Sequence, residues 1–192
     1  MKRWTAAVAV AVIIGLFPVT GCTKKQEAGA GANAAFLGTS SGNVAGLKWS
    51  IPKRWSSAGE RPMRAATYSI PAAEGDAEPA ECAVFFFGTG QGGDIQANID
   101  RWIGQFEASG IPAKAQKQIA GMNVTLVQIA GAYLAPGGPM MQSTGKKENY
   151  RLLGAIVEGP QGSVFFKFTG PAKTLGAAEG EFNAMVESLA KM

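Results

Sequence analysis

A catalytic serine or cysteine usually needs a histidine to take its proton near neutral pH, and this chain of 192 residues has none. Ser-Lys chemistry is the nucleophilic option that remains. Ser50 and Lys53 have the spacing of a serine β-lactamase pair, but that motif uses a helix to bring the lysine over the serine. Here Pro52 lies between them in a stretch that alternates like a strand. Ser188 and Lys191 repeat the spacing at the end of a helical pattern, without a second motif. Gly88-Thr89-Gly90-Gln91-Gly92-Gly93 is a literal G-x-G-x-x-G between an apolar run and a helical pattern, the setting of a dinucleotide-binding turn. Such a turn also calls for an acidic residue about 20 positions on, at the end of the next strand. The stretch from Ala113 to Ala120 has none, and Glu107 falls inside the helical pattern, so no cofactor is expected.

Carboxylates gather in Glu74-Gly75-Asp76-Ala77-Glu78-Pro79-Ala80-Glu81, whose oxygens could suit Ca²⁺, although the spacing is not that of an EF-hand. A solvated acidic turn between two strands is the expectation. Zinc is not expected, since one cysteine beyond Cys22 and no histidine cannot complete a tetrahedral N/S site. Arg61 and Arg64 form a short basic turn that could meet an anion. Tyr133-Leu134-Ala135-Pro136-Gly137-Gly138-Pro139-Met140-Met141 sets adaptable apolar side chains among Gly and Pro. Tyr133, Pro139, Met140 and Met141 are therefore the candidate binding loop, and Lys146 and Lys147 beside it are expected in solvent.

Cys22 stands apart. Lys2 and Arg3 precede an apolar stretch from Trp4 to Val19, a charged and then greasy leader too short to span a bilayer well. Val19-Thr20-Gly21-Cys22 follows, and it resembles the lipobox of bacterial lipoproteins, with Val19 where such leaders most often carry Leu. The resemblance implies that residues 1–21 are removed and that the Cys22 thiolate takes up a diacylglyceryl group. Two or more acyl chains, at about 0.8 kcal/mol per buried methylene, hold a protein on a membrane where one chain would not. Cys82 would then be the remaining thiol, in the apolar run Cys82 to Phe87, where a buried small hydrophobe is expected.

Residues 22–43 are rich in Gly, Ala, Ser, Lys and Gln, with Phe36 and Leu37 alone to bury, and are expected to form a flexible tether. Residues 44–192 then form one domain. The chain has 18 basic and 14 acidic residues, of which four basic and one acidic precede Val44. The domain is nearly neutral and has no basic run, so nucleic acid is not an expected partner.

The elements that must position these residues follow from periodicity. Leu47, Trp49 and Ile51 alternate as a half-buried strand ended by Pro52. Arg64 to Ile70 is a second strand, and Cys82 to Phe87, apolar on both faces, a central third. Asp94 caps a helix whose stripe is Ile95, Ile99, Trp102, Ile103 and Phe106. Ala115 to Ile119 and Val124 to Tyr133 form a hairpin about Gly121, Leu134 to Asn149 a loop, and Tyr150 to Glu158 and Ser163 to Thr169 a hairpin about Gly159-Pro160-Gln161-Gly162. Pro171 opens a last helix bearing Leu175, Ala178, Phe182, Met185, Val186 and Leu189. Some seven strands with two helices cannot be doubly wound, so the class is α+β, a largely antiparallel sheet flanked by two main helices.

Trp49-Ser50-Ile51-Pro52, Trp55, Tyr68, the mid-chain helix, the hairpins and the terminal helix with Phe182 and Ser188-Leu189 resemble the Mog1/PsbP-like group. The resemblance implies an α/β/α sandwich and largely non-enzymatic proteins, among them bacterial envelope lipoproteins, and it transfers no site. The expectation is an exported protein, lipid-anchored in the bacterial envelope, acting without catalysis as a binding or assembly module, with an envelope protein as a candidate partner. The alternatives are an envelope hydrolase using Ser-Lys or carboxylate chemistry, or a metal-binding carrier. Replacing Cys22 with Ser should move the protein from the membrane to the soluble fraction; an unchanged membrane fraction in Cys22→Ser would contradict the lipid anchor.

Overall fold

The computed structural model describes residues 34–108, 110–136 and 143–192. Cys22, Pro139, Met140 and Met141 lie outside them. The described residues form strands β1 (Leu37–Val44), β2 (Leu47–Pro52), β3 (Ser56–Ser57), β4 (Ala66–Ile70) and β5 (Ala80–Phe86), then helix α1 (Ile95–Ile103) and β6 (Phe106–Ala108). There follow β7 (Ala113–Ile119), β8 (Met122–Pro136), β9 (Ser143–Gly159), β10 (Gly162–Pro171), helix α2 (Ala172–Glu187) and β11 (Ala190–Lys191). The main sheet runs β3-β4-β5-β10-β9-β8-β6, with β7 also on β8, and β1-β2-β11 make a second, small sheet. Every pair is antiparallel. The class is α+β, as expected.

Alternation along β10 sorts the main sheet into two faces. Val164, Phe166 and Phe168 face a core completed by Leu47 and Trp49 from the small sheet, Trp55 from the turn after it, and Leu175, Phe182 and Met185 from α2. Trp49 meets Phe166 edge-on at 5.1 Å and donates its indole N–H to the Tyr68 hydroxyl at 3.1 Å. Buried Glu181 on α2 holds the entry to β3, accepting from Arg54 Nε at 2.5 Å and from Trp55 Nε1 at 2.8 Å. Cys82 is buried in this core as a small hydrophobe.

The opposite face carries Phe165 with Ile99, Trp102, Phe106, Val127, Ile129, Leu152 and Ile156. Here α1 is the cover. Asp94 caps it, its Oδ1 accepting from Ala97 N at 3.1 Å. Trp102 lies on the sheet because Gly154 has no side chain: a Cβ there would stand 2.4 Å from the indole and 2.7 Å from Val127.

Three expectations are corrected. Residues 37–44 are not tether but β1, paired with β2 from Val44↔Leu47 to Leu37↔Pro52. Their small residues are what the pairing requires, since a Cβ on Gly42 would sit 2.4 Å from the Trp49 ring. The helical stripe stops at Ile103, and Phe106 enters β6 opposite Tyr133, still in the same core, because Gln105 O accepts from Leu134 N and draws the chain into the sheet. Residues 134–149 are not a loop throughout. β8 and β9 pair on past Tyr133↔Lys147 and continue beyond β6 as a two-stranded ribbon, Leu134↔Lys146 and Ala135↔Gly145. A ribbon beyond the other strands has no face to bury and so shows no apolar alternation.

Adding the missing methyl should disturb the seat of α1. Gly154→Ala is expected to lower unfolding free energy by about 1–3 kcal/mol in urea titrations, the usual cost of overpacking; an unchanged midpoint would show that Trp102 does not bear on that glycine.

Candidate functional site

Where α1 stops, the face toward it stays open. One row across the sheet reads Thr67, Ala83, Lys167, Gly154, Val127, and the next Ser69, Glu81, Thr169, Leu152, Ile129. Trp102 covers the Gly154 and Val127 end. The other end floors a cavity of about 550 Å³ lined by Ser69, Ala83, Phe85, Lys167 and Thr169, within the usual size of a small-molecule site. Gln105, Tyr133 and Tyr150 wall it on the side of α1, and Arg61, Arg64, Glu81, Glu78 and Lys147 complete the rim.

Lys167 is the group the sheet places least comfortably. Its stem lies in the strand floor, its ammonium donates to Gln105 Oε1 at 2.5 Å, and it sits 5.5 Å from the centre of the Tyr133 ring. Burial pushes its amine down to about 8, and Arg64 adds to the effect. Two residues along β10, Thr169 Oγ1 is buried without a hydrogen-bond partner among the described residues.

Around this pair both carboxylates are engaged by cations other than Lys167. Glu81 accepts from Arg64 at 2.6 Å and lies 3.5 Å from Arg61. Glu78 accepts from Lys147 at 2.6 Å and from the Tyr150 hydroxyl, and these two hydrogen bonds hold its carboxyl below the ordinary range. The Tyr150 hydroxyl is raised by burial and by the Glu78 carboxylate. Tyr133 and Tyr150 stack 5.7 Å apart and 7° from parallel, and burial, with Glu81 next, raises Tyr133. The cavity thus holds four cations and two carboxylates, beside flat apolar walls.

The structure places the earlier candidates unevenly. Tyr133 lines the cavity, but from β8 rather than from a loop. Arg61 and Arg64 stand at the cavity, bound to Glu81. The acidic run is not merely solvated: Asp76 Oδ2 accepts from Thr174 N and Oγ1 at the start of α2, and Glu78 and Glu81 reach the cavity. Lys147 binds Glu78 rather than water alone, and Lys146 binds Glu107 at 2.7 Å. Ser50 and Ser188 meet each other and not their lysines; Ser188 Oγ accepts from Ser50 N and donates to Met185 O.

In the glycine turn, Gly88, Gly90, Gly92 and Gly93 all take left-handed φ, but it joins β5 to α1 between antiparallel strands, and Asn98 donates to Gly92 O. Among the described residues no three His, Cys, Asp or Glu side chains gather as a metal would require. Lys167 escaped the sequence reading. Its signal is a lone charge in the otherwise apolar Val164-Phe165-Phe166-Lys167-Phe168.

No protein-family model matches the sequence, and no curated protein sequence matches it. Solved structures do match. The solution structure of cyanobacterial PsbP (CyanoP) from Synechocystis sp. PCC 6803 is 9% identical over 80% of this chain and 92% of that one, with a TM-score of 0.50. The fold is PsbP-like. A crystal structure of protein PA94 from Pseudomonas aeruginosa, described as of unknown function and a putative regulator, is 12% identical over 80% and 96% of the two chains, with a TM-score of 0.46.

The lowered Lys167 amine fixes a pH dependence. Below about pH 8 the folded protein must bury a charge that the unfolded chain keeps in water. Between about 8 and 10.5 the unfolded chain retains the proton and the folded one releases it, so stability should rise through that window. Lys167→Met should therefore be more stable than the parent by about 1–3 kcal/mol at pH 7, with the gap closing by pH 10. Urea titrations at the two pH values check this; a gap that does not change with pH would contradict it.

Proposed function

We propose that the protein is a lipid-anchored component of the bacterial envelope whose PsbP-like domain is a non-enzymatic binding module, with the open half of the α1 face as its ligand site. The observation that carries the reading is the cavity itself: a concave, aromatic-walled space on a rigid sheet, in which a few polar groups converge. Cys22 and the leader before it support the anchor and the export. The non-enzymatic reading rests on how the polar groups are engaged. Glu78 and Glu81 are held by cations, and Lys167 turns to Gln105 rather than to a hydroxyl that it could deprotonate. The PsbP-like fold is compatible with this role.

One observation favours a second reading. Thr169 offers an unpaired hydroxyl two residues from an amine of lowered pKa, the two components of a hydroxyl-lysine hydrolase.

Native mass spectrometry of the mature protein, extracted from the envelope in mild detergent, separates these. Binding predicts a discrete small-molecule mass above that of the lipidated chain, lost when Ser69→Phe fills the cavity. A wild-type chain without added mass would contradict the binding reading. If the same preparation hydrolysed a simple ester and Thr169→Val abolished that turnover, the hydrolase reading would replace it.

A further inference from the structure

We propose that the cavity on the α1 face selects a small aromatic monocarboxylate, with the Lys167 ammonium as its charge partner, the Thr169 hydroxyl as its hydrogen-bond donor, and Phe85 and the Tyr133-Tyr150 stack against its ring. The inference rests on the reading of that cavity as the ligand site and gives the ligand its chemistry.

Charge comes first. Glu81 is shared by Arg64 and Arg61, and Glu78 is engaged by Lys147. Lys167 is left with a neutral amide oxygen and the face of a ring, and no carboxylate pairs with it among the described residues. A largely buried ammonium without a counter-ion is costly, and an anion entering the cavity supplies what the chain does not.

The second observation is independent of charge. Thr169 Oγ1 is buried and without a partner among the described residues, although buried hydroxyls in folded proteins almost always find one. Lys167 and Thr169 alternate onto the same face of β10, about 7 Å apart along the strand, so both can address a single carboxylate head.

The third concerns the rest of the ligand. Phe85, Tyr133 and Tyr150 all line the cavity. Their faces are shared with Arg64 and Phe87, with Lys167, and with Lys147, and the two tyrosines stack on each other, so an incoming ring meets these side chains at their edges, the edge-to-face arrangement that aromatic pairs favour. A compact anion such as acetate would satisfy Lys167 and leave those edges wet.

Desolvation of the amine adds a pH signature. The titratable groups facing Lys167 are Glu81 on β5, Arg64 before β4, Tyr133 on β8 and Tyr150 on β9, with Glu78, Lys147 and Arg61 at the rim. Arg64 opposes the ammonium and Glu81 favours it. A bound carboxylate adds a second favourable charge, so binding should weaken as pH rises above about 8 and the free amine loses its proton.

Calorimetric titration of the full mature chain with benzoate, benzamide and acetate at pH 7 tests this. Benzoate should bind, and benzamide and acetate should each bind about tenfold or more weaker. Lys167→Met should cost benzoate at least about tenfold, and Lys167→Arg should restore part of it while removing the fall in affinity between pH 7 and 9.5. Thr169→Val, which keeps the shape of the side chain, should weaken benzoate more than benzamide. Equal binding of benzoate and benzamide would overturn the anion assignment and leave the cavity standing as a ligand site. Benzoate affinity indifferent to Lys167→Met, in a variant whose unfolding transition is intact, would overturn the role of Lys167. Binding of neither ring compound would overturn the ligand class, while the envelope-derived mass would still decide the cavity reading on its own.

Discussion

The open half of one sheet face is a matter of reach. Seven strands about 4.8 Å apart span roughly 29 Å, and the nine residues of α1 are about 14 Å long. The helix can cover one part of that face closely or the whole of it poorly. Gly154 decides the matter: by leaving room for the Trp102 ring on the β9 backbone, it fixes α1 over β8 and β9. Lys167, directly across from Gly154 on β10, is the first residue beyond the cover. Its position explains both its partial burial and its want of a counter-ion.

The other face shows what full cover looks like. There the sixteen residues of α2 and the sheet of β1, β2 and β11 close over Phe166, Phe168 and Val164, and the polar groups caught beneath are paired. Glu181 meets Arg54 and Trp55, Trp49 meets Tyr68, and Ser188 ties the end of α2 to β2. Thr169 Oγ1, on the cavity side, has no such partner among the described residues. The contrast between a saturated face and an unsaturated one is the physical basis for assigning the ligand to the second.

Much of this architecture is written in local pattern. Asp94, the stripe from Ile95 to Ile103, the Gly159–Gly162 turn and the apolar spacing of α2 announce their elements because each must bury one face at a fixed period. β1 escaped because its reason is not local: Gly42 is small for the sake of Trp49, and its ladder comes from β2. Residues 143–149 escaped because a two-stranded ribbon buries little. Of the site, Tyr133 and the Arg61-Arg64 turn were visible as residue types. The meeting of Lys167, Thr169, Glu78 and Tyr150 was not, since it depends on the register of β10 against β9 and on the course of the chain before β5. Still, a lysine amid four apolar strand residues was a legible anomaly, because a charge in that setting needs either a partner or an opening.

The central claim is that the short cover of α1 leaves Lys167 desolvated and uncompensated beside an accessible cavity. Following the Lys167 side-chain ammonium by NMR through a pH titration tests it most directly, with the resonance assigned by its loss in Lys167→Arg. The account predicts a midpoint near 8 in the ligand-free protein. A midpoint at the ordinary lysine value of about 10.4 would contradict it, for Lys167 would then be either freely hydrated or already paired.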